Sequence, residues 1–225
     1  MVGAGPLALG SVLYGDADDD GADAHWQQGL YLSRQLHDHL GDAPLRIAAE
    51  HIDRAFERSA IPIEIEIESD PIDFGSSGEE PPGCGSTIFD QWLDTDLPDR
   101  NSNLCLIYHS GGGCAEVAGA RSVAGASPLE DVEHEFERNW SRVGQSIHSI
   151  LHEIAHNAGY SHDMATGEVE TRDGQYVVTP ATSTLSGETE GACGGHHPQI
   201  ETSKQEFRHY YSECTAGLFR DLIAD

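Results

Sequence analysis

HEIAHNAGYSHD, running from His152 to Asp163, is the stretch from which the rest of the chain is best read. His152 and His156 stand four residues apart, which on a helix puts both imidazoles on one face about one turn apart, within reach of a single metal ion. Glu153 then comes up beside that ion. Gly159 can adopt the left-handed conformation that ends a helix, and the chain can fold back to bring in His162 as a third nitrogen ligand. Three protein ligands leave a tetrahedral zinc one position for water. With this chain's own residue frequencies, the five fixed positions of HExxHxxGxxH arise by chance in roughly 4 of 10,000 chains of this length. An exposed helix with accidental histidines is therefore the poorer reading.

Upstream of the ligands, Val143, Ile147, Ile150, Leu151, Ile154, Ala155 and Ala158 recur at core-facing helical spacing, with Trp140 opening the helix. A strong apolar stripe holds a helix rigidly, as a metal site requires of the element that carries two of its ligands.

The whole chain sets the bounds. Its 225 residues suffice for one domain with a sizeable core. Against 39 acidic residues there are 12 basic ones, and Lys204 is the sole lysine. With 38% apolar residues in periodic segments, this predicts a folded domain under an acidic surface that salt would screen. The composition resembles that of proteins from extreme halophiles. It argues against nucleic acid as a partner, because phosphate contacts need the Lys and Arg that are scarce here. No apolar run reaches the length of a membrane-spanning helix, and a monomer is expected. The opening MVGAGPLALGSVLYG is a poor secretory signal as it stands.

Cys84, Cys105, Cys114, Cys193 and Cys214 include no CxxC pair, so a cysteine zinc site is disfavoured. We read one or two disulfides, with Cys193 joined to Cys214 in the C-terminal segment and one cysteine left free. Disulfides imply an oxidising, extracellular compartment.

In chain order, Pro6–Tyr14 reads as a first strand and Asp16–Asp23 as an acidic loop. That loop lacks the alternating ligands and terminal Glu of a calcium site, so Ca2+ has no support. His25–Leu40 reads as a helix with Leu30, Leu36 and Leu40 inward, stopped by Gly41. Pro44 starts a second helix striped by Leu45, Ile47, Ala48, Ile52, Ala55 and Phe56. His37, His39 and His51 lack companion carboxylates at ligand spacing and are read as surface or core residues. IPIEIEIE, residues 61–68, has the period of a half-buried strand. A loop follows, then a short helix within Ser86–Leu97, a buried strand at Leu104–His109, and a hinge-like GGG. Pro128–Arg138 is acidic surface, and a last helix is predicted from about Thr202 to Leu222.

From Asn103 to Asp163 the chain resembles the metzincin clan of zinc endopeptidases. Asn157 and Asp163 make the motif most similar to the adamalysin (reprolysin) type. The resemblance implies an α/β fold in one domain, 1–225. A twisted mixed sheet and two long helices would form an upper subdomain to about residue 159, and a small irregular lower subdomain would occupy 160–225. Zn2+ would sit on His152, His156 and His162, with Glu153 as the catalytic base that deprotonates a zinc-bound water for attack on a peptide bond. His148 is left as a neighbour, since His162 satisfies the family pattern better. Glu116–Ala124 falls where the family has the edge strand that pairs with an extended substrate, making Val117, Ala118 and Gly119 candidate substrate-binding residues. Tyr176, Tyr210 and Tyr211 are candidates for a phenol that stabilises an oxyanion.

The chain departs from the family in three respects. PPGCG around Cys84 resembles a propeptide cysteine switch but lacks its flanking Arg and Asp, so Cys84 is read as half of a disulfide. No methionine follows Met164. The family's methionine turn would fall to VVTPATS, residues 177–183, with Ala181 in place of the Met. His196 and His197 are read as exposed rather than as a second metal site. The expected activity is cleavage of protein or peptide substrates, and the alternative is a non-catalytic zinc-dependent adhesion domain on the same scaffold.

Overall fold

The structure is a computed structural model that describes residues 24–75, 80–130, 142–162, 170–172, 175–178, 205–207 and 209–224. Pro6–Tyr14, the Asp16–Asp23 loop, Trp140, residues 131–138, residues 179–183 and the His196–His197 pair lie outside them.

Trp26–Leu32 (β1) is a strand, where a helix was predicted from His25. It is paired in parallel on both sides, with Ile63–Ile67 (β2) and Ser102–Ile107 (β3). Six of its seven residues are buried, so it shows none of the polar alternation that marks a half-wet strand. The helix begins only at Arg34–Leu40 (α1), where the Ser33 hydroxyl accepts from the Leu36 N–H at 3.2 Å, and Gly41 ends it as expected. Ala43–Arg58 (α2) has Pro44 in its first turn and buries Leu45, Ala48, Ile52, Ala55 and Phe56 as predicted.

Beyond Thr87–Leu93 (α3) and β3, two further strands complete the sheet: Gly113–Ala115 (β4) and Arg121–Gly125 (β5). The order is β2-β1-β3-β5-β4, with β4 antiparallel to β5 and the other pairings parallel. The edge beside the helix that carries His152 and His156 is therefore β4. The predicted edge strand, Glu116–Ala124, is instead the turn after β4 and most of an inner strand. β5 is buried between two partners, whereas residues 117–119 make the reversal that β4 needs to pair with it.

Alternating side chains of β3 feed two cores. Leu104 and Leu106 join Trp26, Leu30, α2 and Arg142–Asn157 (α4), whereas Cys105 and Ile107 join Tyr31 and the α3 residues Ile88, Phe89 and Trp92. The larger core is closed by Glu213–Ala224 (α5), whose Phe219 packs edge-on against Trp26 at 4.7 Å between centroids. α5 starts later than Thr202 because the Ser212 hydroxyl caps it, accepting from the Thr215 N–H at 3.3 Å. Part of the predicted helix is a strand, Gln205–Phe207 (β8), parallel to Gln175–Val178 (β7), which is antiparallel to Glu170–Arg172 (β6). On the other sheet edge, the buried Arg100 guanidinium reaches Glu66, Glu68 at 3.0 Å and the Tyr31 hydroxyl at 2.7 Å. This explains why the acidic face of β2 tolerates close-set carboxylates.

Cys84 is disulfide-bonded to Cys114 of β4, closing a loop 30 residues apart in sequence. A loop of that size stabilises by about 3–4 kcal/mol on the chain-entropy account. Cys214 is also disulfide-bonded, whereas Cys193, its predicted partner, lies outside the described residues. Cys105 is the free cysteine among the described residues, and complete burial raises its pKa far above that of an ordinary thiol. Native protein at pH 8 is expected to leave Cys105 unmodified by an alkylating reagent, with full labelling of its tryptic peptide after unfolding in guanidinium, as read by mass spectrometry.

Candidate metal centre

α4 lays Ile147, Ile150, Leu151, Ile154 and Ala155 into the larger core. That stripe orients the opposite side of the helix toward β4, and His152 and His156 stand there. His156 is buried, His152 half-buried and His162 exposed. The helix ends as predicted: Gly159 takes φ +87°, its N–H bonds the His156 carbonyl at 2.9 Å, and the Tyr160 N–H bonds the Ala155 carbonyl at 3.0 Å. Tyr160 is fully buried, and its ring lies against those of His152 and His156 at 5.8 and 5.3 Å. Anchored there, the chain returns His162 to the other two imidazoles.

The three rings converge. His152 Nε2 lies 3.1 Å from His156 Nε2 and 3.2 Å from His162 Nε2, and the set forms a possible metal-ligating group within 4.8 Å. Zinc with nitrogen bonds of about 2.0–2.1 Å in a tetrahedron needs donors roughly 3.3 Å apart, so the two separations from His152 fit that ion and three imidazoles suit it in chemistry. His156 Nδ1 bonds the Tyr160 carbonyl at 2.8 Å. That contact requires the proton on Nδ1 and leaves the Nε2 lone pair for a metal. Burial lowers the His156 pKa from the usual histidine value, which favours the neutral form that ligation requires.

Glu153 is 6% exposed, and burial pushes its carboxyl up to about 8. A dication held by the neighbouring imidazoles would oppose that shift. His148 stacks on His152 at 6.1 Å between ring centroids. It lines the same cavity, of about 470 Å³, whose wall also includes Pro82, the half-cystines Cys84 and Cys114, Gly113, Val117, Glu153 and the three ligand-type histidines.

Among the residues proposed for substrate contact, Val117 lines this cavity and is exposed. Ala118, at φ +54°, has its N–H bonded to the His156 carbonyl at 2.9 Å, and Gly119 packs on Glu116, so these two shape the turn. Tyr211 is not a phenol for the cleft: its hydroxyl donates to the Leu151 carbonyl at 2.8 Å inside the core, and burial raises its pKa. Tyr210 lies under the Arg58 guanidinium, away from the cavity wall, and the side chain of Tyr176 lies outside the described residues. Asn157 has a role that sequence reasoning missed. It accepts from the Ser102 hydroxyl at 2.8 Å and donates to the Glu116 and Arg121 carbonyls at 3.2 Å each, fastening the end of α4 to β3 and to the ends of the β4–β5 turn. A polar residue at a core-facing helix position was the available signal.

Comparison with solved structures places the arrangement among zincin-like folds. An archaemetzincin from Methanopyrus kandleri superposes with a TM-score of 0.51 at 10% identity, over 91% of this chain and 99% of that one. Metalloproteinase-II from Bacteroides fragilis gives 0.42 at 11% identity, over 91% of this chain and 55% of that one. No family model matches the chain, and no curated protein is significantly similar to it in sequence.

Asn157→Ala is expected to destabilise the protein by about 1–3 kcal/mol, because it leaves the fully buried Ser102 hydroxyl without its acceptor and removes two hydrogen bonds to the Glu116 and Arg121 carbonyls. Asn157→Asp should cost more, since it sets a carboxylate against them. Urea denaturation of the two variants beside wild type measures both.

Proposed function

We propose that the protein is a zinc-dependent endopeptidase of the metzincin kind, and that it works in an extracellular, oxidising setting. The observation that carries this reading is the meeting of three Nε2 atoms beside Glu153 in the wall of a cleft. His152, His156 and His162 would hold the ion. Zinc bound there would supply Lewis acidity, making water acidic and polarising a carbonyl. Glu153 would take the proton of the attacking water and pass it to the leaving amine nitrogen.

The edge strand supports a peptide as substrate. Cys114 pairs with Val123, the Gly125 N–H bonds the Gly112 carbonyl, and the Glu116 N–H bonds the Arg121 carbonyl. By the alternation of antiparallel ladders, the N–H and C=O groups of Gly113 and Ala115 therefore point away from β5. An extended chain could add to that edge, with Val117 beside it. Asn157 and Asp163 favour the adamalysin variant of the motif, and the Cys84–Cys114 bond favours the extracellular setting. The absence of any methionine after Met164 favours the second reading, a non-catalytic zinc-dependent adhesion domain.

The purified protein is expected to take up one equivalent of zinc and to digest unfolded casein at high salt, with a chelator abolishing both. Glu153→Ala should keep the zinc, as measured by elemental analysis, and lose at least about 100-fold in cleavage rate. Undiminished cleavage by that variant would remove Glu153 from the mechanism. Zinc uptake without any cleavage by wild type would favour the adhesion reading.

A further inference from the structure

Gly113 is the third glycine of the GGG run, and its backbone does not explain its identity. Gly111 and Gly112 adopt φ of +154° and +77°, whereas Gly113 lies outside the positive-φ region as the first residue of β4. What distinguishes it is the space above its Cα. A Cβ built there would fall 2.5 Å from Glu153 Cγ, 2.5 Å from Glu153 Oε1 and 2.6 Å from the Val123 carbonyl oxygen. Real Cβ atoms essentially never come so close. The same construction at Gly112 meets nothing nearer than the Pro82 carbonyl at 3.6 Å, and at Gly111 it meets nothing within 4 Å.

Side chains alternate along a strand, so position 113 faces α4 while Cys114 faces the smaller core with α3. Glu153 projects into the opening that a missing side chain leaves, and this is how a carboxylate comes to lie against the main chain of the edge strand.

We infer that Gly113 is a positioning residue for Glu153: the side chain it lacks is the space the carboxylate occupies beside β4. The spatial part of this inference is independent of the proposed activity, and its kinetic part rests on it. A methyl group at 113 displaces the carboxylate from the edge, because Glu153 Cγ and Oε1 stand nearer to it than any histidine atom does. It should therefore act on turnover before it acts on metal uptake.

The test is a cycle of four full-length proteins: wild type, Gly113→Ala, Glu153→Ala and the double variant. Each is stripped of metal and unfolded in urea. Gly113→Ala should lower the urea midpoint, and the drop should shrink by at least half when Glu153 is already Ala, because Cγ and Oε1 are then gone. Equal drops in both backgrounds would assign the crowding to the Val123 carbonyl and overturn the inference. If Gly113→Ala fails to fold alone, recovery of folding in the double variant supports the inference, and failure of both overturns it.

With zinc restored, Gly113→Ala should bind one equivalent and lose at least tenfold in kcat, with KM within threefold of wild type. A rise in KM with kcat unchanged would mean that the residue serves the strand edge and not Glu153, which also overturns the inference. Should Glu153→Ala cleave casein as fast as wild type, the proposed mechanism falls while the midpoint cycle still decides the spatial claim.

Discussion

The site depends on one tight reversal. Within six residues of His156 the chain must leave α4, turn back and return His162 to within bonding reach of the same point. Gly159 supplies the conformation, but a turn alone would leave His162 on a loose tether. Tyr160 supplies the anchor. Its ring is buried beside two of the imidazoles and its carbonyl holds His156 Nδ1, so one residue sets both the direction of the His156 ring on the helix and the root of the loop that carries His162.

That reversal is useful only because the helix before it cannot shift. The apolar stripe of α4 is sunk in the larger core, and Asn157 binds the end of the helix to β3 and to the turn after β4. The N–H of Ala118 adds a bond to the His156 carbonyl from the same turn. Helix, edge strand and turn thus form one assembly, and the Cys84–Cys114 bond extends it to the loop before α3. Pre-organisation of this kind lets three mutually crowding nitrogens remain together, since little chain entropy is left to lose when a cation joins them.

The electrostatic setting is consistent with that use. Burial lowers the pKa of His148 and of His156, and it disfavours an ionised Glu153 unless positive charge is brought beside it. A cation at the three imidazoles answers both conditions. The whole chain carries a net charge of −27, yet Glu153 is the sole carboxylate among the described residues of the cavity wall.

Much of the site could be read from the sequence because it is local. Ligand spacing, the helix stripe, the stop at Gly41 and the reversal at Gly159 each depend on residues within a few positions of one another. Helical periodicity and capping express themselves over such distances. β1 was misread because a strand buried on both faces leaves no alternation, and its apolar residues mimic a helical spacing. What tertiary structure alone decided is what depends on pairing between distant segments: that β4 and not residues 116–124 forms the edge, that Cys84 joins Cys114, that Asn157 serves two strands, and that the gap over Gly113 houses Glu153. Strand order and side-chain complementarity are set by burial summed over the whole core, and no short stretch of residues contains that sum.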